Sequence, residues 1–378
     1  MVDAITAAGA DAGSRWRLYT GSGTPPADGP REIPLPPPWR RPRRASEQGV
    51  TLLPPPGDEA DVRGTTYRPG ETAIEMVNAA LHLGRPLLIT GKPGTGKSSL
   101  AHSVARELGL GPVLRWSITS RSTLREGLYE YDALRRLADY NLEQARPIGE
   151  YITLGPLGTA LLPWARPRVL LIDEIDKGDI DLPNDLLNVF EEGEFFLREA
   201  AGRPGDAAGG ATEGAAEPLR VRTFDFGQPF VELADGPAVR ADRFPVVVLT
   251  SNGERDFPAP FLRRCLRLYV PPPGVEHLMD ILESHFAQDA DRASFVADNR
   301  AECLALVRDF VARSRTGGVL ATDQLLNAVY LTVKAGEPVD DPEAVRKRLR
   351  DALLMTLQSG AEVTAAGDAS DGSGARGA

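Results

Sequence analysis

Apolar residues recur at helical spacing over 73–83, with Ile74, Val77, Ala80 and Leu81 on one face. The next residues, Pro86-Leu87-Leu88-Ile89-Thr90, form a continuous apolar run of strand length. A second helical pattern over 98–108 and a strand around 113–118 follow. Two more runs, 168–172 and 244–250, are apolar almost throughout, as strands buried on both faces are. Between them, Leu186, Leu187, Val189 and Phe190 give 184–193 a helical period. Alternation of strand and helix at these lengths predicts an α/β fold, a parallel sheet sandwiched between helices.

Outside that alternation the pattern changes character. Residues 194–198 and 230–233 alternate in polarity and predict a hairpin, with the Gly/Ala-rich stretch at about 200–217 as a disordered insertion at its tip. Beyond Pro271-Pro272-Pro273-Gly274, the segments 275–288, 295–314, 322–334 and 342–357 are all helical in period. The expected organisation is therefore a core domain over 63–271, a small all-helical domain over 272–358, and two arms. Residues 1–62 are rich in proline and arginine and read as a disordered arm, and 359–378, built of Gly, Ala and Ser, as a disordered tail. Inside the first arm, Pro36-Pro37-Pro38-Trp39-Arg40-Arg41-Pro42-Arg43-Arg44 joins a stiff extended spine to one aromatic and four guanidinium groups. Such a segment can dock on an acidic or aromatic-lined surface, or simply be a solvated linker.

Composition narrows the partners. The 378 residues carry Lys plus Arg 43 against Asp plus Glu 53, a net charge of −10. That balance disfavours direct nucleic-acid or anionic-lipid binding without a local basic patch. Cys265 and Cys303 stand in no metal-ligand or paired spacing, so neither a disulfide framework nor a zinc site is expected, and the compartment reads as reducing and cytoplasmic. Met1-Val2-Asp3 opens no basic and apolar leader, and the longest apolar runs are strand-sized, which argues against export and membrane spanning.

The chemistry sits at the strand ends. Gly91-Lys92-Pro93-Gly94-Thr95-Gly96-Lys97-Ser98 is a full G-x-x-x-x-G-K-[ST] motif where a strand hands over to a helix. Its glycines let backbone N–H groups close around phosphates, Lys97 reaches the β- and γ-phosphates, and Ser98 can ligate Mg²⁺. The run Val169-Leu170-Leu171-Ile172 ends in Asp173-Glu174, a pair that can hold a Mg²⁺ shell and polarise an attacking water. Val246-Val247-Val248-Leu249 ends in Thr250-Ser251-Asn252, where an amide can bond both a γ-phosphate and that water, or merely start a turn before Gly253. After it, Arg263, Arg264 and Arg267 lie close together; they can solvate a helix face, or one can reach a nucleotide on a neighbouring subunit.

In this order the four elements resemble the AAA+ ATPases. Several phrases resemble the MoxR-like branch: Leu170-Leu171-Ile172-Asp173-Glu174-Ile175-Asp176-Lys177, Asn184-Asp185-Leu186-Leu187-Asn188-Val189-Phe190-Glu191-Glu192, and Thr250-Ser251-Asn252. The approach 77–88 and Gly155-Pro156-Leu157 are similar too, so the likeness spans about 67–357. It implies an αβα domain with a helical lid, assembling into a homo-oligomeric ring, usually a hexamer, with ATP and Mg²⁺ as ligands. Carried over by position, Gly91, Pro93, Gly94, Thr95, Gly96, Lys97, Ser98, Ser99 and Asp173 bind the nucleotide, and Ser98 and Asp173 the metal. Glu174 becomes the catalytic base, Asn252 the sensor 1 residue, and Arg264 the arginine finger, with Arg263 as second choice. One departure stands out: Thr322-Asp323-Gln324 occupies the place where the family usually has Ser-Pro-Arg, so the sensor 2 arginine is missing. The function implied is ATP-driven remodelling of a protein client, often a von Willebrand A-type partner. Two other readings stay open: a nucleotide-binding switch with little hydrolysis, and the motor of a nucleic-acid-targeting system resembling the McrB-type GTPases.

Overall fold

The continuous apolar runs become strands whose successive side chains enter two different cores. In the computed structural model, β1 (Leu87–Thr90) sends Leu87 and Ile89 into one buried cluster and Leu88 into the other. The same division holds in β3 (Val169–Asp173), where Val169 and Leu171 face one way and Leu170 and Ile172 the other. A strand covered on both sides has no position for a polar residue, which is why these segments lack alternation. With β2 (Leu114–Ser117), β4 (Val246–Ser251) and β5 (Leu266–Tyr269) they form a five-stranded, all-parallel sheet in the order β5-β1-β4-β3-β2.

The structure describes residues 16–25, 29, 31–41, 52–55, 62–201, 219–227, 229–234, 236–288, 294–315 and 320–334. On one face of the sheet, α1 (Glu71–Leu83) and α2 (Lys97–Leu108) bury Ile74, Val77, Leu81, Leu100 and Val104. Gly84, at φ 56°, ends α1 in the left-handed conformation that a β-carbon disfavours, and its N–H returns to the Ala80 carbonyl. The other core holds α3 (Leu182–Glu192), through Leu186 and Phe190, and α4 (Ala259–Arg264), through Phe261. Helix α5 (Val275–Phe286) follows. The chain divides into two compact units, Met1–Ser294 and Phe295–Ala378. The second contains α6 (Arg300–Arg315) and α7 (Thr322–Lys334), which pack on one another. The helical pattern at 342–357, the tail at 359–378 and nearly all of the 200–217 insertion lie outside the described residues. Among the described residues, no helix is long and apolar enough to cross a membrane.

Two expectations change. The segments 194–198 and 230–233 do not pair with each other. Glu194–Phe196 pairs with Ala238–Arg240, whereas Phe230–Leu233 pairs with Leu219–Arg222, which continues the small sheet of Ile152–Leu154 and Tyr129–Tyr131. Alternation marks a half-exposed strand but does not select its partner; burial of Phe195, Val221 and Val239 in the common core does.

The second correction concerns the proline-rich arm: residues 16–25 and 31–41 are ordered against the sheet's helices. Leu18, Tyr19 and Ile33 are buried in the core of α1 and α2. The Asn78 side chain accepts from the Leu18 and Tyr19 N–H groups at 2.7 and 3.0 Å and donates to the Tyr19 carbonyl at 2.8 Å. Tyr19 O–H and Ser103 Oγ lie 2.8 Å apart, and Glu107 Oε1 accepts from Thr20 N and Oγ1 at 2.6 and 2.7 Å. Prolines exclude helix and ladder, but an extended strap needs neither when buried side chains pair its backbone. Farther along, Leu52 bridges to Trp164, donating to Pro163 O at 3.0 Å.

Candidate functional site

Three chain segments leave the same end of the sheet and meet there: the loop after β1, the tip of β3 and the tip of β4. The loop is shaped by its glycines. Gly94 and Gly96 have φ of 74° and 80°. A β-carbon on Gly91 would lie 2.5 Å from the Val270 carbonyl oxygen, and one on Gly96 would lie 3.0 Å from the Tyr67 ring. Backbone alone can line this cradle. Pro93 sits in the turn, Thr95 Oγ1 braces it by donating to Lys92 O at 2.9 Å, and Ser99 N closes the first turn of α2 onto Gly96 O at 3.1 Å. Lys97 is 7% exposed, and its Nζ donates to Gly91 O, Lys92 O and Asn252 Oδ1 at 2.8, 2.9 and 2.8 Å. Burial lowers its pKa from the ordinary value, against the pull of Asp176, Asp173 and Glu174.

Asp173 ends β3 with a carboxylate surrounded by donors. Ser98 Oγ and Thr250 Oγ1 each donate to Oδ1 at 2.7 Å, and Arg115 donates twice to Oδ2, at 3.1 and 2.6 Å. Burial pushes this carboxyl up, but the hydrogen bonds from Ser98, Thr250 and Arg115 outweigh it and hold the pKa below the usual range. Glu174 follows at φ 61°, in left-handed backbone that costs a non-glycine residue of order 1–3 kcal/mol. Its N–H donates to Thr250 Oγ1 at 2.9 Å, and its carboxylate accepts from Lys177 Nζ at 2.7 Å and Asn252 Nδ2 at 3.4 Å. Asp176, 6% exposed, ties down the β4 tip: Oδ2 accepts from Ser251 Oγ, Asn252 N and Glu254 N at 2.9, 2.9 and 3.2 Å, while Oδ1 is buried without a partner.

Gly91, Pro93, Gly94, Thr95, Gly96, Lys97, Ser98, Ser99, Asp173, Glu174 and Asn252 thus converge. Arg263 and Arg264 do not. Leu266, which follows them, donates its N–H to Pro86 O at the start of β1, and the loop of glycines leaves that strand's other end. Arg264 Nε is paired with Glu191 Oε1 on α3.

Sequence reasoning missed Arg115, Thr250, Asp176 and Lys177. Thr250 and the Asp176-Lys177 pair lie in phrases already conspicuous, but Arg115 is a charged residue at an alternate position of an edge strand and carries no motif. The donor set fits Mg²⁺ with a triphosphate. One hydroxyl and one ionised carboxylate, Ser98 and Asp173, are the kind of sparse oxygen ligation that cation completes with phosphate and water. Among the described residues, no cluster of His, Cys, Asp or Glu forms a protein cage for a metal.

Residues 87–192 match the model of the ATPase family associated with various cellular activities (AAA). The match runs from β1 to the end of α3 and takes in the glycine loop, Asp173 and Glu174. No curated protein matches the chain. The parallel sheet with its interleaved helices and the matched segment together fit an α/β P-loop sandwich, and the likeness to the AAA family covers residues 87–192.

Proposed function

We propose that the chain binds and hydrolyses ATP as a MoxR-like AAA+ ATPase, works as a homo-oligomeric ring, and uses the cycle to remodel a protein client. The observation that carries this reading is the contact of Lys97 with Asn252 and of Ser98 with Asp173, which joins the loop to both strand tips. Lys97 Nζ, already stripped of water, meets the charge of the β- and γ-phosphates, and the loop N–H groups with the α2 N-terminus receive their oxygens. Ser98 and Asp173 are the residues that would hold Mg²⁺, which when bound neutralises charge between those phosphates. Glu174 takes the proton of the attacking water on a carboxylate oxygen, and the Asn252 amide orients that water and the γ-phosphate.

Arg264 belongs to the same scheme in trans. A four-residue strand spans roughly 13 Å, so an arginine at one end of β1 does not reach a phosphate at the other end in the same copy. The remodelled client, of which a von Willebrand A-type protein is the family's example, is inferred from the resemblance alone. A phosphate-release assay tests the core of the proposal: Mg²⁺-dependent turnover of ATP, lowered at least roughly tenfold by Glu174→Gln, is expected, and no turnover at any protein concentration would overturn it. The Lys177–Glu174 ion pair favours a second reading, in which the base is held back and the protein is a nucleotide-binding switch. That reading expects tight nucleotide binding with negligible phosphate release.

A further inference from the structure

The end of the sheet opposite the glycine loop collects positive charge from segments far apart in sequence. Arg85, at the entrance to β1, donates Nε to Arg264 O at 3.0 Å and Nη2 to Arg263 O, which fixes both residues at the end of α4. Arg40 comes from the N-terminal strap and donates Nη2 to Gly84 O at 3.2 Å, directly beside Arg85. Glu191 supplies a carboxylate to Arg264, while the Nε of Arg40 is buried without a hydrogen-bond partner. Burial, then the Arg85 guanidinium, lowers the pKa of Arg40, and the Arg264 charge adds to that effect. Guanidiniums gathered this closely repel one another, and the Glu191 carboxylate among them opposes the lowering at Arg40 without cancelling it. Next to them Trp39, on the short turn Pro38–Arg40, is 81% exposed.

We propose that this face docks on a second copy of the chain and that Arg40 is delivered with Arg264 to the triphosphate held in the second copy's glycine loop, with Trp39 anchoring the contact. The inference rests on the ATPase reading above and extends it: the N-terminal strap would supply part of a shared catalytic site. Charge complementarity selects the occupant. Arg40, Arg85, Arg263 and Arg264 against the Glu191 carboxylate leave this face net positive, which complements a polyanion such as a triphosphate. The strap cannot serve its own nucleotide, because Gly84 precedes β1 and the loop follows it. An exposed tryptophan beside a charged cluster is a common anchor of protein interfaces.

Trans-complementation tests this. Arg40→Ala should bind a fluorescent ATP analogue as tightly as wild type at dilutions where the protein is monomeric. In assembled protein it should turn over at least roughly tenfold more slowly, in keeping with an arginine acting on transition-state charge, and Arg40→Lys should recover part of the loss. Mixing Arg40→Ala with Lys97→Ala should restore part of the activity, since an interface with the intact loop of the first variant and Arg40 of the second is complete while the reciprocal interface is not. Trp39→Ala should shift assembly, followed by sedimentation velocity, to higher protein concentration. If Arg40→Ala lowers the thermal midpoint, Arg40→Met keeps the packed stem and takes its place. Wild-type turnover in assembled Arg40→Ala and Arg40→Met, or no recovery in a mixture that demonstrably contains mixed assemblies, overturns the shared arginine while leaving the ATPase reading intact. A wild-type protein that neither assembles nor hydrolyses ATP overturns both.

Discussion

At the scale of single residues, the site is a set of charges that neutralise each other over short distances. Removing Lys97 takes away the buried cation that the loop carbonyls and Asn252 surround. Lys97→Ala is therefore expected to lose nucleotide binding, whereas Glu174→Gln keeps it and loses at least roughly tenfold in turnover, as when a general base is removed. Calorimetric titration with ATP and a phosphate-release assay separate the two effects, and equal affinity for wild type and Lys97→Ala would sink the site assignment. Asp173 gives a pH signature. Its folded pKa lies below the ordinary value of 3.8, so the stability it contributes is fully present above that value and drains away as the pH falls through the lower folded one. Asp173→Asn should accordingly be less stable than wild type near neutrality yet lose less on acidification. Thermal midpoints between about pH 7 and about pH 3 read this difference, which vanishes if the carboxylate is not held ionised.

At the scale of elements, the N-terminal strap is the piece whose importance composition hides. Tyr19 is fully buried, and Glu107, 1% exposed, has its carboxylate occupied by the Thr20 N–H and hydroxyl. Tyr19→Phe removes one buried hydrogen bond to Ser103 and should cost about 1 kcal/mol. Tyr19→Ala also empties a ring-sized space against α1 and α2 and should cost about 3–5 kcal/mol. Deleting 16–41 takes Leu18, Tyr19 and Ile33 out of the core and uncovers the apolar faces of α1 and α2 that they pack on, so the truncated protein should unfold at markedly lower urea concentration. A truncation with an unchanged unfolding midpoint would show that the strap contributes nothing to the fold. The same elements explain Glu174: its left-handed backbone persists because Thr250 on β4 and Lys177 in the following turn hold both ends of the residue.

At the scale of the whole molecule, the loop and the arginines at the end of α4 occupy opposite ends of one short strand. A catalytic site using both requires two copies. Specific activity should therefore rise with protein concentration, and Arg264→Ala should bind ATP normally but hydrolyse it poorly, by a fraction of the roughly 10³ to 10⁵ that an arginine finger provides in GTPases. Activity per subunit that stays constant across a wide dilution series, measured beside the sedimentation profile, would favour a site complete within one copy.

Much of this architecture is legible without coordinates, because its signals are local. An apolar run of four or five residues between glycines and a helical period has few alternatives to a buried parallel strand, and the glycine loop before Lys97 states its own backbone requirement. Asp173, Glu174 and Asn252 are readable because strand tips on one edge of a parallel sheet must open toward the same side. What only the tertiary structure decided are pairings between segments distant in sequence. Nothing in Glu194–Phe196 names Ala238–Arg240 as its partner, and nothing in the spacing of β2 says that Arg115 will bind Asp173. The strap shows the reason most plainly. Proline content reports that a segment will not hydrogen-bond to itself, but whether it is ordered depends on donors and acceptors elsewhere in the chain. Here Asn78 and Glu107, on two helices, pair that backbone, and Ser103 pairs the hydroxyl of its one, fully buried tyrosine.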